Sequence, residues 1–274
     1  MTRSCLAIPA SSFLLISLLV PACAQTNIDN PQGQTQSVGA VPTDQKPKLS
    51  DEDLARLYLI RKQFREAQDL FHKLTVEQPK NPVYWNELGI SFHNQSELDL
   101  ALKCYQKSAK LDSHYADAEN NVGTVYYERK KYAKAVRAYK KAIVLRDDYA
   151  AFYVNMGYAY FGEKKYDDSI TSFRKAVGLD PNVFDAARSR SGTIVQDRTV
   201  EAERAQFYFL LAKSFAQAGN TERTLIYLKK ARDEGYKDLN SVKSDPAFAQ
   251  VLKDPAIQDF LAADKAADNT QPQN

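Results

Sequence analysis

The stretch VYWNELGISFHNQSELDLALKCYQK, residues 83–107, holds the feature that decides the fold, a glycine inside an otherwise helical pattern. Its apolar residues recur every three or four positions, which is the period of an α-helix. Gly89 lies in the first such run, where glycine costs about 1 kcal/mol relative to alanine. A polar break at residues 93–97 separates this run from a second one. The stretch therefore predicts two antiparallel helices, and Gly89 predicts a close approach between them, with Ala101 as another small surface.

The same pattern recurs along the chain. Gly89, Gly123 and Gly157 are 34 residues apart. Two further columns of residues repeat every 34 positions. The aromatic column consists of Tyr105, Tyr139 and Phe173, and the small-residue column of Ala101, Ala135 and Ser169. A fixed period of this length is the signature of a repeat array. The predicted fold class is all-α, a solenoid of stacked antiparallel helix pairs in which each pair covers the apolar face of its neighbour.

These columns resemble the tetratricopeptide repeat, whose pattern is W-x2-L-G-x2-Y followed by small, aromatic and proline positions. The second unit matches at Trp85, Leu88, Gly89, Phe92, Ala101 and Tyr105, and the fourth at Tyr153, Met156, Gly157, Tyr160, Phe173, Ala176 and Pro181. The resemblance spans four units, residues 48–81, 82–115, 116–149 and 150–183. It implies a right-handed superhelix whose first helices line a concave groove.

The register of the repeat is lost after the fourth unit. Residues 184–204 are predicted to be an insertion, and residues 205–238 a divergent fifth unit. Residues 239–263 contain the pairs Asp245-Pro246 and Asp254-Pro255. An aspartate N-cap followed by proline at the first helical position is a helix start signal, so two short helices are expected there. They are predicted to cap the array, because a repeat stack must hide its last apolar face.

The first 24 residues have the organisation of a secretory signal peptide. Arg3 precedes an apolar run, and small residues at Ala22 and Ala24 predict cleavage before Gln25. An alternative interpretation is a lipoprotein box in which Cys23 is acylated. We expect an exported protein, periplasmic or secreted, as in bacterial exported members of the family. An outer-membrane lipoprotein anchored through Cys23 is the alternative, and no other membrane attachment is expected.

Two polar segments flank the predicted array. Residues 25–47 contain proline and glycine but no aromatic residue, and residues 264–274 are similarly polar. Both are predicted to be disordered, because they cannot bury enough apolar surface to offset the entropy of ordering.

Composition and motifs argue against several function classes. Lys+Arg is 37 and Asp+Glu is 34, an excess too small to indicate nucleic-acid binding. His72, His93 and His114 fall at different positions of the repeat, so no metal site is predicted. Cys104 lies on an apolar helix face and is expected to be a buried small hydrophobe. We find no P-loop, G-x-S-x-G or H-E-x-x-H motif, and we expect neither catalysis nor a cofactor.

The resemblance also implies which residues line the groove, since family members use fixed positions of each unit. Carried onto this sequence, the predicted partner-binding residues are Asn86, Ile90, His93, Asn120, Asn121, Thr124, Tyr127, Val154, Asn155, Tyr158 and Phe161. An asparagine amide both donates and accepts, which suits the backbone of an extended peptide. Support of helix packing is the alternative role for these amides. The lysine clamp of chaperone-tail binders is incomplete, because Glu52 and Arg56 occupy its first places.

The expected function is that of a non-enzymatic scaffold which holds a protein or extended peptide in its groove outside the cytoplasm. One alternative is an outer-membrane assembly lipoprotein of the pilus or barrel biogenesis type. Another is an accessory subunit of an envelope enzyme, in which Arg188, Arg190 and Arg198 of the insertion bind an anion or a saccharide.

Overall fold

The computed structural model describes residues 49–185 and 203–268, and helices dominate both ranges. The first range contains α1 Asp51–Ile60, α2 Phe64–Glu77, α3 Pro82–Asn94, α4 Leu98–Leu111, α5 Ala116–Glu128, α6 Tyr132–Leu145, α7 Ala150–Gly162 and α8 Tyr166–Leu179. The second contains α9 Arg204–Gln217, α10 Thr221–Asp233 and α11 Pro255–Asp268, with 3-10 helices at Leu239–Lys243 and Pro246–Phe248. Neither range contains a strand, and consecutive helices pack together throughout. The predicted all-α stack of helix pairs is confirmed.

Tight turns of one design join the helices of the first four pairs. Each turn has a residue in the left-handed region, with φ of 59° at Lys62, 64° at Ser96, 56° at Lys130 and 60° at Lys164. Non-glycine residues seldom adopt this conformation, so its recurrence every 34 residues marks a repeated structural element. In the third pair, the Lys130 N–H donates to the Tyr127 carbonyl at 2.7 Å and closes the first helix. The turn thereby folds the second helix back onto the first.

The repeated glycines make room for aromatic rings. A β-carbon on Gly89 would lie 2.6 Å from Cε1 of Tyr105, and one on Gly123 would lie 2.6 Å from Cε1 of Tyr139. Gly157 faces Phe173 in the same way. In the fourth unit, Ser169 of the small-residue column also lies close to the first helix, because its Oγ donates to the Gly157 carbonyl at 2.9 Å. The close approach predicted at the glycine therefore exists, and an aromatic ring of the second helix fills most of it.

The last helices of the described chain share one apolar core with α7 and α8. Its members include Phe207 and Phe215 of α9, Phe248 after α10, and Ile257 of α11. This arrangement places the region after residue 203 directly against the repeats. A core that continues from the repeats into the C-terminal helices fits the expected capping role.

Each of the two Asp-Pro pairs stands at the start of a helix, and the two helices differ in length. Asp245 accepts from the Ala247 N–H, and Asp254 accepts from the Ala256 N–H, each at 2.9 Å. The second pair opens α11, but the first opens only the three-residue 3-10 helix Pro246–Phe248 and not the expected longer helix. The chain turns away early because this brings Phe248 and then Val251 into the core.

Several predicted segments lie outside the described residues: the signal peptide, the linker, most of the insertion and the last residues of the tail. Within the described ranges, every helix is too short or too polar to cross a bilayer.

Candidate functional site

The first helices α3, α5 and α7 lie side by side and are joined by a ladder of buried side-chain amides. Asn155 Nδ2 donates to Asn120 Oδ1 at 3.0 Å, and Asn121 Nδ2 donates to Asn86 Oδ1 at 2.9 Å. Within α5, Asn120 Nδ2 donates to Asn121 Oδ1 at 3.3 Å. Each inter-helix bond joins the fifth position of one unit to the sixth position of the next. These four asparagines therefore bond to one another, as the packing alternative requires.

The structure buries most of the predicted groove residues. Eight of the eleven are nearly inaccessible, namely Asn86, Asn120, Asn121, Thr124, Tyr127, Val154, Asn155 and Phe161. Neighbouring side chains are the reason. Tyr139 donates its hydroxyl to Thr124 Oγ1 at 3.3 Å, and the Phe161 ring lies 5.6 Å from that of Phe207 on α9. Tyr127 and Phe161, predicted as contact area for a partner, are core residues in this structure.

Three of the predicted groove residues keep partial exposure, and two of them lie on α3. Ile90 and His93 are half-buried there, and Tyr158 on α7 stacks against Phe207 with ring centroids 5.3 Å apart. Next to the first two, Asn94 is exposed and donates to the Ile90 carbonyl at 2.9 Å. The accessible part of the first-helix surface is thus smaller than the family pattern implies.

His93 connects the second and third units. Its Nε2 lies 2.7 Å from Glu128 Oε1 on α5, and its Nδ1 lies 3.2 Å from the Tyr105 hydroxyl. The side chain of His93 is 16% exposed and that of Glu128 is 39% exposed, so the pair is open to solvent on one side. We define the first-helix surface as Ile90, His93, Asn94 and Glu128.

An ion-pair cluster between α1 and α3 lies near the N-terminal ends of these two helices. Arg56 pairs with Glu52 at 3.0 Å, and the Tyr84 hydroxyl donates to Glu52 at 2.7 Å. Glu87 lies among these charges, and burial raises the pKa of its carboxyl above the usual value. The two places that carry the lysine clamp in chaperone-tail binders therefore hold a local ion pair, in which Arg56 is partnered by Glu52.

The sulfur and imidazole groups occupy different environments. Burial raises the pKa of the Cys104 thiol to about 11, so this thiol is protonated at neutral pH. His72 and His114 are exposed on separate elements, whereas His93 is paired as described above. In the described part of the chain, no three His, Cys, Asp or Glu side chains cluster as a metal would require.

Stacked helix pairs with a continuous face of first helices define a helical repeat protein of the scaffold class. Family models place the repeat in the same stretches of chain: a model described as "TPR repeat" matches residues 123–164, and two described as "Tetratricopeptide repeat" match residues 150–183 and 52–116. Residues 52–116 and 123–183 of the chain therefore carry tetratricopeptide repeats. The fold of this class supports contacts with protein partners.

Solved structures of similar fold include "MamA 41-end from Desulfovibrio magneticus RS-1". It is 18% identical, the match covers 67% of this chain and 92% of that one, and the TM-score is 0.48. Another is TTC0263, described as a thermophilic TPR protein in Thermus thermophilus, which is 16% identical, with 74% of this chain and 99% of that one covered and a TM-score of 0.48. No curated protein sequence matches this chain.

Proposed function

We propose that this protein is a non-enzymatic scaffold that binds a protein or extended peptide on its first-helix surface, outside the cytoplasm. The amide ladder across α3, α5 and α7 is the observation that carries the proposal. It ties three successive first helices in a fixed register, so the side chains next to it need little ordering when a partner binds. Preorganisation of this kind raises affinity by lowering the entropy cost of association.

The chemistry of the first-helix surface suits a polypeptide. Ile90 offers an apolar contact, Asn94 an amide, and the His93–Glu128 pair both a donor and an acceptor. Protein interfaces combine apolar area with hydrogen bonds in this way. The buried asparagines act indirectly, since they position the helices and do not touch the partner.

Capture of the partner from extracts of the source cells, with the full chain as bait, tests this assignment. Replacement of Ile90 by glutamate puts a charge into the apolar contact and should reduce partner recovery by about tenfold, as expected when an interface charge is buried without a counterion. Val76, which lies on α2 and is 68% exposed, offers a matched control for the same change. Equal recovery with Ile90→Glu and Val76→Glu, at unchanged helical circular dichroism, contradicts the assignment.

The non-catalytic part of the proposal is supported by the state of the reactive groups. Cys104 is buried and its thiol is protonated, and His93 is engaged by Glu128 and Tyr105. A nucleophilic cysteine needs a thiol that is both accessible and deprotonated, whereas Cys104 is buried and protonated.

Export is proposed on the sequence of residues 1–24 alone. Mass spectrometry of the mature N-terminus distinguishes the alternatives. A first residue of Gln25 supports simple export, whereas an acylated Cys23 supports the lipoprotein and outer-membrane assembly alternative. A mature protein that still begins at Met1 contradicts both.

A further inference from the structure

The second helices α4 and α6 border a basic cleft whose floor is formed by α5. The cleft has a volume of about 530 Å³, and Lys110, Lys134, Arg137 and Lys141 line it together with the single carboxylate of Glu119. The local excess of three positive charges is as large as the formal net charge of the whole chain, which is +3. The rest of the chain therefore carries a formal net charge of zero. We call these five residues the basic groove.

Few of these cations are neutralised by the protein itself. Lys141 lies 3.4 Å from Glu119, and Lys134 lies 5.7 Å from the centre of the Tyr126 ring. Lys110 and Arg137 form no ion pair with any residue of the described ranges. Cations lining a cleft and lacking internal partners create a positive potential that attracts an anionic ligand.

The basic groove continues into an apolar patch at the end of α6. Glu119 and Lys141 also line a neighbouring cleft of about 400 Å³, where Val144 and Leu145 contribute apolar surface. Val144 is 85% exposed, so its side chain is accessible to a ligand in this cleft. From Lys134 to Val144 the helix rises about 15 Å, which corresponds to roughly five residues of extended chain.

We propose that the basic groove binds an acidic peptide segment of a partner protein, about four or five residues long, that ends in an apolar side chain seated on Val144. This site lies on different helices from the first-helix surface and goes beyond the function proposed above. The carboxylates pair with Lys110, Lys134, Arg137 and Lys141, and the extended backbone lies along α6.

The form of the groove favours a peptide over a membrane or a nucleic acid. The cations line a cleft with Val122 in its floor and Ala138 in one wall, so an extended chain can enter it, whereas a planar lipid surface meets only the rim. The apolar patch beside the groove suits an apolar side chain, which a phosphate backbone does not supply.

Fluorescence anisotropy with the full chain and a labelled Asp-Glu-Asp-Glu-Leu peptide tests the proposal. Binding should weaken as salt is added, because the partly exposed charges are screened. The neutral analogue Asn-Gln-Asn-Gln-Leu should bind at least about tenfold more weakly. Equal binding of the two peptides overturns the proposal.

Two sets of variants locate the peptide. The combined change Lys134→Glu, Arg137→Glu and Lys141→Glu should lower affinity by at least about tenfold. The same charge change at the exposed Lys229, Lys237 and Lys253, far along the chain, should leave it unchanged. Equal losses in both sets overturn the proposal.

A conservative change keeps the proposal testable if the triple variant fails to fold. Glu119→Gln removes the one internal competitor of the peptide and should tighten binding about threefold, in line with a partly exposed ion pair. Unchanged or weaker binding by Glu119→Gln overturns the proposal. Binding of phosphatidylglycerol vesicles or single-stranded DNA to the basic groove, without binding of the acidic peptide, also overturns the proposal.

Discussion

Close contact between a glycine and an aromatic ring is repeated in three units. Gly123 is a representative case, since the ring of Tyr139 that faces it is fully buried and has no room to move aside. Gly178, by contrast, lies on an exposed part of α8, where an added β-carbon would meet nothing within 4 Å. The same substitution therefore has opposite consequences at the two positions.

We expect Gly123→Ala to lower the free energy of unfolding by about 2 kcal/mol, because the added methyl group overpacks the core. Gly178→Ala should raise it by about 1 kcal/mol through helix propensity alone. Urea unfolding followed by circular dichroism measures both. Stabilisation by Gly123→Ala would show that the ring is not held where the structure places it.

The amide ladder makes a second prediction at this scale. Asn121 takes part in two of its bonds, so Asn121→Ala leaves amide groups of Asn86 and Asn120 buried with fewer partners. The expected cost is about 2–3 kcal/mol, the usual penalty for unsatisfied buried polar groups. Thermal unfolding measures the loss, and the exposed Asn240 offers a matched alanine control that should stay near the parent. A neutral Asn121→Ala contradicts a structural role for the ladder.

At the scale of elements, we expect α11 to cap the described array. Its Ile257, Phe260 and Leu261 are buried in the core that α9 and α10 share with the fourth unit. The polar face of the same helix points to solvent. A helix of this kind ends a repeat stack without leaving an apolar surface exposed.

Deletion of residues 254–274 should therefore lower stability by at least about 3 kcal/mol, from the lost burial of three large side chains. Binding of a hydrophobic dye should increase, since the α9–α10 face becomes exposed. Deletion of residues 269–274 alone is the control and should change neither quantity. A shortened protein with parental stability and no added dye binding would exclude the capping role.

At the scale of the whole molecule, buried tyrosines and one cysteine are distributed along the stack. Burial raises the pKa of Tyr115 and of Tyr227 to about 12 and that of Cys104 to about 11. Tyr105 and Tyr139 are shifted upward for the same reason. In the unfolded chain these groups ionise at their ordinary values, near 10 for tyrosine and near 9 for cysteine. Ionisation thus favours the unfolded state.

The free energy of unfolding should accordingly be constant up to about pH 9 and then fall as pH rises towards 12. Urea unfolding at a series of pH values, with tyrosinate absorbance as a second signal, measures this. Tyr227→Phe removes one ionising group and should make the fall shallower. A flat profile up to pH 12 contradicts the burial of these side chains.

Much of the fold is predictable because its cause is local and repeated. The 34-residue step in Gly89, Gly123 and Gly157 predicts the helix pairs, and the two Asp-Pro pairs predict where the last elements begin. The length of the first of those elements was not predictable. It ends after Phe248, because Phe248 and then Val251 enter a core that also contains residues far away in the sequence, such as Phe173.

The candidate surface was less predictable, because exposure depends on elements distant in sequence. Phe161 falls on a groove position by its place in the repeat, yet Phe207 of α9 covers it. Asn121 has the chemistry to hold a peptide, yet an amide 35 residues away takes its hydrogen bond. Neither partner is visible from the repeat pattern.

By itself, the sequence determined that this protein is a stack of helix pairs, since a period that recurs in four units leaves each pair with an apolar face that only the next can cover. Only the tertiary structure decided which side chains remain for a partner. Burial is a property of contacts between helices, so the ladder and the α9 rings close most of the predicted groove, while α4 and α6 leave the basic groove open.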